Sequence, residues 1–292
     1  LPVVDPDDRE LVMSCGAALF HLRVAMRRFG HAGRVRTVVG VPDEHPLTPV
    51  RGLPEVVARV GLDGPHEPTA DELRLFRAIP RRHTNRKPFE DREVEADLLD
   101  ALRDAAREEG AWLEVIDEDE RKHALAELVA EGNRVQGADA SFRRELAAWI
   151  HPSRTRSRDG MPGYALEMGE LASYVGPLVV RTFDWGDRRA AHDRQLAEGS
   201  PVMAVLGTKR DTPGAWLHAG EALDRVLLRA AAGGVSASFL NQPVEVSGLR
   251  PRVGDLLEED GWPQVVLRLG YGPEVDEPTP RRPVEEVLID EE

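Results

Sequence analysis

One block of eight residues occurs twice in this chain and narrows the folds open to it. Pro54-Glu55-Val56-Val57-Ala58-Arg59-Val60-Gly61 leads through Gly64-Pro65 to Glu67-Pro68-Thr69. Far downstream, Pro263-Gln264-Val265-Val266-Leu267-Arg268-Leu269-Gly270 leads through Gly272-Pro273 to Glu277-Pro278-Thr279. Five of the eight positions are identical, and both apolar runs read as buried strands. Two copies so widely spaced make no solenoid; they predict a duplicated domain whose first copy has too little chain before it. Upstream of each block, Gly16, Ala18, Leu19 and Gly30 recur as Gly220, Ala222, Leu223 and Gly234 at one constant offset. Each set lies on an apolar-periodic segment ending at glycine, the usual helix stop.

The remaining elements follow from periodicity. Helices are expected at 10–29, 73–79, 94–109, 117–136, 140–150 and 215–232, with a helical patch near 165–174. Thr69-Ala70-Asp71-Glu72 has capping-box spacing ahead of the second of these. Strands are expected at 34–41, 55–61, 111–116, 202–208 and 263–270, the last closing the sheet, and extended segments at 178–182 and 235–240. Residues 42–54 read as a proline-rich loop, and 151–163 as a long mobile loop, a lid or an interface arm. Helices and strands mix without regular βαβ alternation, which predicts an α+β fold with a mixed sheet covered by helices.

Composition excludes several functions. The 292 residues suffice for one large domain or two ordinary ones, and a net charge of −14 argues against nonspecific binding to nucleic acid or an anionic membrane. Cys15 is the one cysteine, so no internal disulfide forms; on an apolar helix start it reads as a core thiol, and the usage fits a reducing cytoplasm. No run is apolar and long enough to span a bilayer, no signal peptide is visible, and a first residue of Leu predicts further chain upstream. There is no phosphate-binding P-loop, no Gly-x-Gly-x-x-Gly after a strand and no nucleophile elbow at 234–238. No two histidines stand at metal-ligand spacing, so no metal is expected.

The chemistry concentrates in Arg81-Arg82-His83-Thr84-Asn85-Arg86-Lys87-Pro88-Phe89, where five of the first seven residues are basic in an acidic protein. Such a run is either a solvated basic turn or an anion pocket, because arginine matches phosphate oxygens bidentately and a threonine hydroxyl adds a neutral donor. Arg281-Arg282, just after the second Glu-Pro-Thr, could converge with it on one phosphate.

These residues resemble the FMN-dependent nitroreductase family, most closely its Acg-like single-chain members. In that family an Arg-Arg-Ser-x-Arg run holds the FMN phosphate, ribityl chain and ring edge. Arg82-His83-Thr84-Asn85-Arg86 matches it with His for the second Arg and Thr for Ser, and Arg81 precedes it. The family's Gly-Asn matches Gly132-Asn133, whose asparagine would contact the flavin; Phe239-Leu240-Asn241 would pass the flavin N5 region; and Arg281 or Arg282 would clasp the phosphate. The resemblance covers most of 81–292 as the more complete repeat, with 1–80 as the C-terminal portion of a truncated first one. One segment departs: the family's Pro-Ser-x-x-Asn-x-Gln-Pro-Trp stretch is replaced by Glu109-Gly110-Ala111-Trp112. A fused pseudo-dimer needs that stretch only in the first copy, so the resemblance implies one FMN per chain in a monomer that is its own dimer. It implies an oxidoreductase taking hydride from NAD(P)H to a nitroaromatic or quinone, with no catalytic side chain required. Two alternatives stay open: a non-catalytic flavin-sequestering protein whose 151–163 loop shuts out nicotinamide, and a fold relic without flavin.

Overall fold

The computed structural model describes residues 1–38, 56–152, 159–163, 178, 180–181, 186–274, 279 and 281–288. The expected loop at 42–54 and the helical patch at 165–174 lie outside them. Helix α1 (Arg9–Arg28) runs to Gly30, whose positive φ of 84° turns the chain into strand β1 (His31–Thr37), which pairs antiparallel with β2 (Ala58–Pro65). Helix α2 (Ala70–Ala78) opens with the expected capping box: Thr69 Oγ1 accepts from Glu72 N at 3.2 Å and Glu72 Oε2 from Thr69 N at 2.8 Å. Helix α3 (Ala96–Glu108) follows, with Leu102, Ala105 and Ala106 on its buried face, and leads to β3 (Trp112–Ile116).

Helices α4 (Asp119–Ala138) and α5 (Ala140–Trp149) come next, then a two-residue parallel pairing of β4 (Ile150–His151) with β5 (Met161–Pro162). That pairing closes the base of the 151–163 segment, of which 153–158 are not described. Leu178, Val180 and Arg181 are helical, correcting the extended segment expected there. Helix α6 (Gly186–Glu198) is an element the periodicity did not pick out. Strand β6 (Val202–Thr208), helix α7 (Pro213–Ala232), strand β7 (Ser236–Phe239), the short helices α8 (Gln242–Glu245) and α9 (Arg250–Gly254), and strand β8 (Trp262–Gly270) complete the unit.

The main sheet is antiparallel with strand order β3-β6-β8-β7. Strand β8 is therefore internal, not the closing edge: both its edges are hydrogen-bonded and both its faces are covered by helices, which is why eight of its nine residues are buried. Side chains alternate across it. Val265, Leu267 and Leu269 join α3 and α7 in one core, while Val266 joins α4, α8 and α9 in a second. Strand β2, expected to be buried as well, pairs among the described residues only with β1 and is mostly exposed. Val57, Ala58 and Val60 touch a small cluster of Val12, Leu19 and Leu217.

Helices α1 and α7 cross at Gly16 and Gly220, which hold the same place in two helices of equal length. A Cβ on Gly16 would collide with the Leu217 carbonyl, and one on Gly220 with the Met13 carbonyl. Glycine at both positions is what lets the backbones touch. A buried ion network fastens the crossing: Arg23 on α1 meets Glu109 and Glu221 at 2.7 Å each, and Arg225 meets Glu109 at 2.9 Å.

Candidate flavin-binding site

The basic run reaches the sheet through its backbone. Thr84 forms a parallel bridge to Ala237, and Asn85 N donates to Ala237 O at 2.9 Å, so the run occupies the open edge of β7. Asn85 is buried; its Nδ2 donates to Pro273 O at 2.9 Å and its Oδ1 accepts from Lys87 N at 3.2 Å. This asparagine, passed over in the sequence as a variable position, is the pin that fixes the run. An asparagine between charged residues could have signalled it, since its side chain mimics a backbone turn.

Arg81, Arg82, His83 and Thr84 line a single cavity of about 350 Å³ whose apolar wall includes Leu227, Val235 and Phe239. That volume falls in the range of small-molecule sites, roughly 300–1,000 Å³. Burial, and after it the positive charge of Arg281, lowers the pKa of Arg82; burial, then Arg82 and Arg281, lowers that of His83. An anion bound there would neutralise the like charges gathered at this cost. Beneath them lies Asp224, whose carboxyl burial pushes up to about 7 against the opposing pull of Arg82. His21 Nε2 stands 3.4 Å from Asp224 Oδ2, and its ring is lowered by burial and by Arg82 and Arg281. Neither His21 nor Asp224 was singled out in the sequence, because their meeting depends on how α1 packs on α7.

The expected site residues divide. Arg281 acts on the run, whereas Arg282 turns away and pairs with Asp159, Nε to Oδ1 at 2.7 Å. Arg86 and Leu240 line a second, smaller cavity of about 40 Å³ with Arg189, Asp193 and Arg268. Phe239 borders both cavities. Asn133 is buried in a polar network: its Nδ2 donates to Val129 O and to Asp193 Oδ2, both at 3.1 Å. Asp193 also accepts from Arg189 Nε at 2.9 Å and Gln242 Nε2 at 3.0 Å, tying α4 to α6 and α8. Asn241 Oδ1 accepts from Val266 N at 3.1 Å, an anchor onto β8. Asn133 and Asn241 thus serve contacts that hold the walls of the site.

The donor set suits FMN. Guanidinium groups, a histidine and a threonine hydroxyl at one end match a phosphate, and Phe239 with the aliphatic wall offers surface for a planar ring. Among the described residues, His123, Glu127 and Glu198 could reach one metal ion, but none of them lines either cavity. No helix among the described residues is long and apolar enough to cross a membrane.

No family model matches the chain. The Mycobacterium tuberculosis protein named "Putative NAD(P)H nitroreductase acg" is 31% identical over 300 residues, covering 99% of this chain and 83% of its own length. A second protein of that organism, "Putative NAD(P)H nitroreductase Rv3131", is 30% identical over 288 residues, covering 97% of this chain and 78% of its own. Among solved structures, the FMN and NADPH-dependent nitroreductase NfnB of a Sphigopyxis species is 22% identical, with a TM-score of 0.47 over 75% of this chain and 99% of that one. A Desulfitobacterium hafniense nitroreductase with bound FMN is 16% identical, with a TM-score of 0.43 over 75% of this chain and 98% of that one. The identity to the mycobacterial proteins across nearly all of this chain decides the matter: the chain belongs to the Acg-like nitroreductase family.

Proposed function

We propose that the protein is an FMN-dependent oxidoreductase using NAD(P)H, with a nitroaromatic or quinone as electron acceptor. The observation that carries this reading is the convergence of Arg81, Arg82, His83 and Thr84 on one cavity whose other wall is apolar and aromatic, with the positive charge of Arg281 acting on Arg82 and His83. The relatives' names, which specify NAD(P)H nitroreductases, support it. Bound FMN would supply the hydride acceptor and donor that no side chain provides. The protein's part is to hold and shape. Arg81, Arg82 and Arg281 would neutralise the phosphate, the Thr84 hydroxyl would donate to it, and the Phe239 wall would exclude water from the ring. Arg86, on the other side of Phe239, would face the ring's polar edge.

We also infer a division of the chain into 1–80, the end of a truncated first repeat, and 81–292, a fuller second one. The shared glycine crossing of α1 and α7 supports a built-in pseudo-dimer that acts as a monomer. The test is anaerobic spectroscopy of the purified protein. Yellow protein bleached by NAD(P)H is the expected result. Flavin bleached by dithionite but not by NAD(P)H would favour a sequestering role, with the 151–163 segment as the cover. Protein that takes up no FMN would refute the flavin reading altogether.

A further inference from the structure

Strand β8 carries a guanidinium through the middle of the molecule. Arg268 has no solvent exposure and pairs in register with Ser238 of β7 and Met203 of β6. Burying such a charge costs several kcal/mol, and an apolar residue of like size would be the cheaper occupant. What Arg268 does there is specific. Its Nη2 donates to Asn85 O at 3.1 Å and to Lys87 O at 3.0 Å, the two carbonyls flanking Arg86. Its guanidinium lies 4.2 Å from the centroid of Phe89. Two residues on, Gly270 packs against the same ring: a Cβ there would come within 2.8 Å of Phe89 Cδ2. Residues 85–89 thus curl around one side chain, and Arg86, between the two accepting carbonyls, lines the small cavity that Arg268 also lines.

We infer that Arg268 is a positioning residue of the flavin site, holding Arg86 on the cavity and adding its own positive charge to the electron-rich edge of the ring. The inference rests on the flavin reading above. A cation at that edge favours the reduced, more electron-rich flavin, so Arg268 raises the midpoint potential of the bound cofactor. The clamp itself belongs to the protein alone and is measurable without FMN.

Wild type, Arg268→Met, Arg86→Gln and the double variant are compared by hydrogen exchange of the 85–90 amides, by FMN titration and by flavin potentiometry. Arg268→Met is expected to speed exchange across 85–90 while exchange in α3 and α4 is unchanged. It is expected to raise the FMN dissociation constant about tenfold and to shift the midpoint potential negative. Adding Arg86→Gln should weaken FMN little further, because the two residues act as one unit. Arg268→Lys, which keeps the charge, should restore most of the potential and little of the exchange protection. Should Arg268→Met not fold, Phe89→Leu tests the clamp: it should loosen the same amides and leave the potential near wild type. Unchanged exchange at 85–90 in both variants overturns the clamp. Strictly additive losses of FMN affinity, or an unshifted potential in Arg268→Met, overturn the positioning role. Wild-type protein that binds no FMN, with 85–90 still loosened by Arg268→Met, defeats the flavin reading and the electrostatic role but leaves the clamp standing.

Discussion

The two copies of the repeated block share five residues and live in opposite environments. In the second, Arg268 is wholly buried and Gly270 is pressed against Phe89. In the first, Arg59 is exposed and a Cβ on Gly61 would meet nothing within 4 Å. Gln264 accepts from Arg250 at 2.9 Å and donates to Thr208 at 2.9 Å, whereas its counterpart Glu55 lies outside the described residues. The difference is one of strand neighbours. Strand β8 has β6 and β7 on its two edges and helices on both faces; among the described residues β2 has β1 alone. One motif therefore encodes two structures, and in the internal copy Arg268 lines a cavity. The same inequality holds for the crossed helices: Asp224 occupies in α7 the place that Phe20 occupies in α1, and both are buried.

Four outcomes would break or sharpen this contrast. Leu267→Ala on β8 should lower stability by roughly 2–5 kcal/mol, and Val60→Ala on β2 by much less; urea denaturation of the two variants compares them directly. Equal losses would show that the copies are equivalent. Asp224→Asn should stabilise the protein, by roughly 1–4 kcal/mol at pH 8. The sign follows from a folded value near 7 standing above the unfolded carboxyl's usual range. Keeping Asp224 ionised therefore costs stability that begins to be felt above about pH 4 and is complete above about pH 7. Thermal melts between pH 4 and pH 8 should thus show a gain that grows with pH; a gain independent of pH would mean that the carboxyl titrates normally.

Gly270→Ala should cost roughly 1–3 kcal/mol by driving a methyl into Phe89, while Gly61→Ala should be near neutral, as read from melting temperatures. Smallest in stability but sharpest for the site, Arg281→Ala should release FMN and Arg282→Ala should not, each moving stability by under about 0.5 kcal/mol. Equal FMN retention in both would show that neither arginine clasps the phosphate.

Much of this architecture is legible in the chain. Helices α3, α4 and α7 and strands β3 and β6 announce themselves by apolar spacing, and the Thr69–Glu72 cap by its residues. The basic run is visible because it contradicts the acidic composition around it. What the chain hides is tertiary. Val56-Val57 and Val265-Val266 read alike, since periodicity records a buried face but not how many strands cover it. Helix α6 is poor in apolar residues, and what it buries includes Asp193, a polar hub that only its partners Asn133, Arg189 and Gln242 reveal. Arg281 and Arg282 are neighbours in sequence, yet Asp159 draws Arg282 off and leaves the run to Arg281.

The central claim is that the unequal copies make a single flavin pocket, and stoichiometry tests it most directly. Apoprotein of known concentration is titrated with FMN while the quenching of flavin fluorescence is followed. The account predicts a break at one FMN per chain in wild type and its loss in Arg82→Ala. A break at two, or no binding at all, would contradict it.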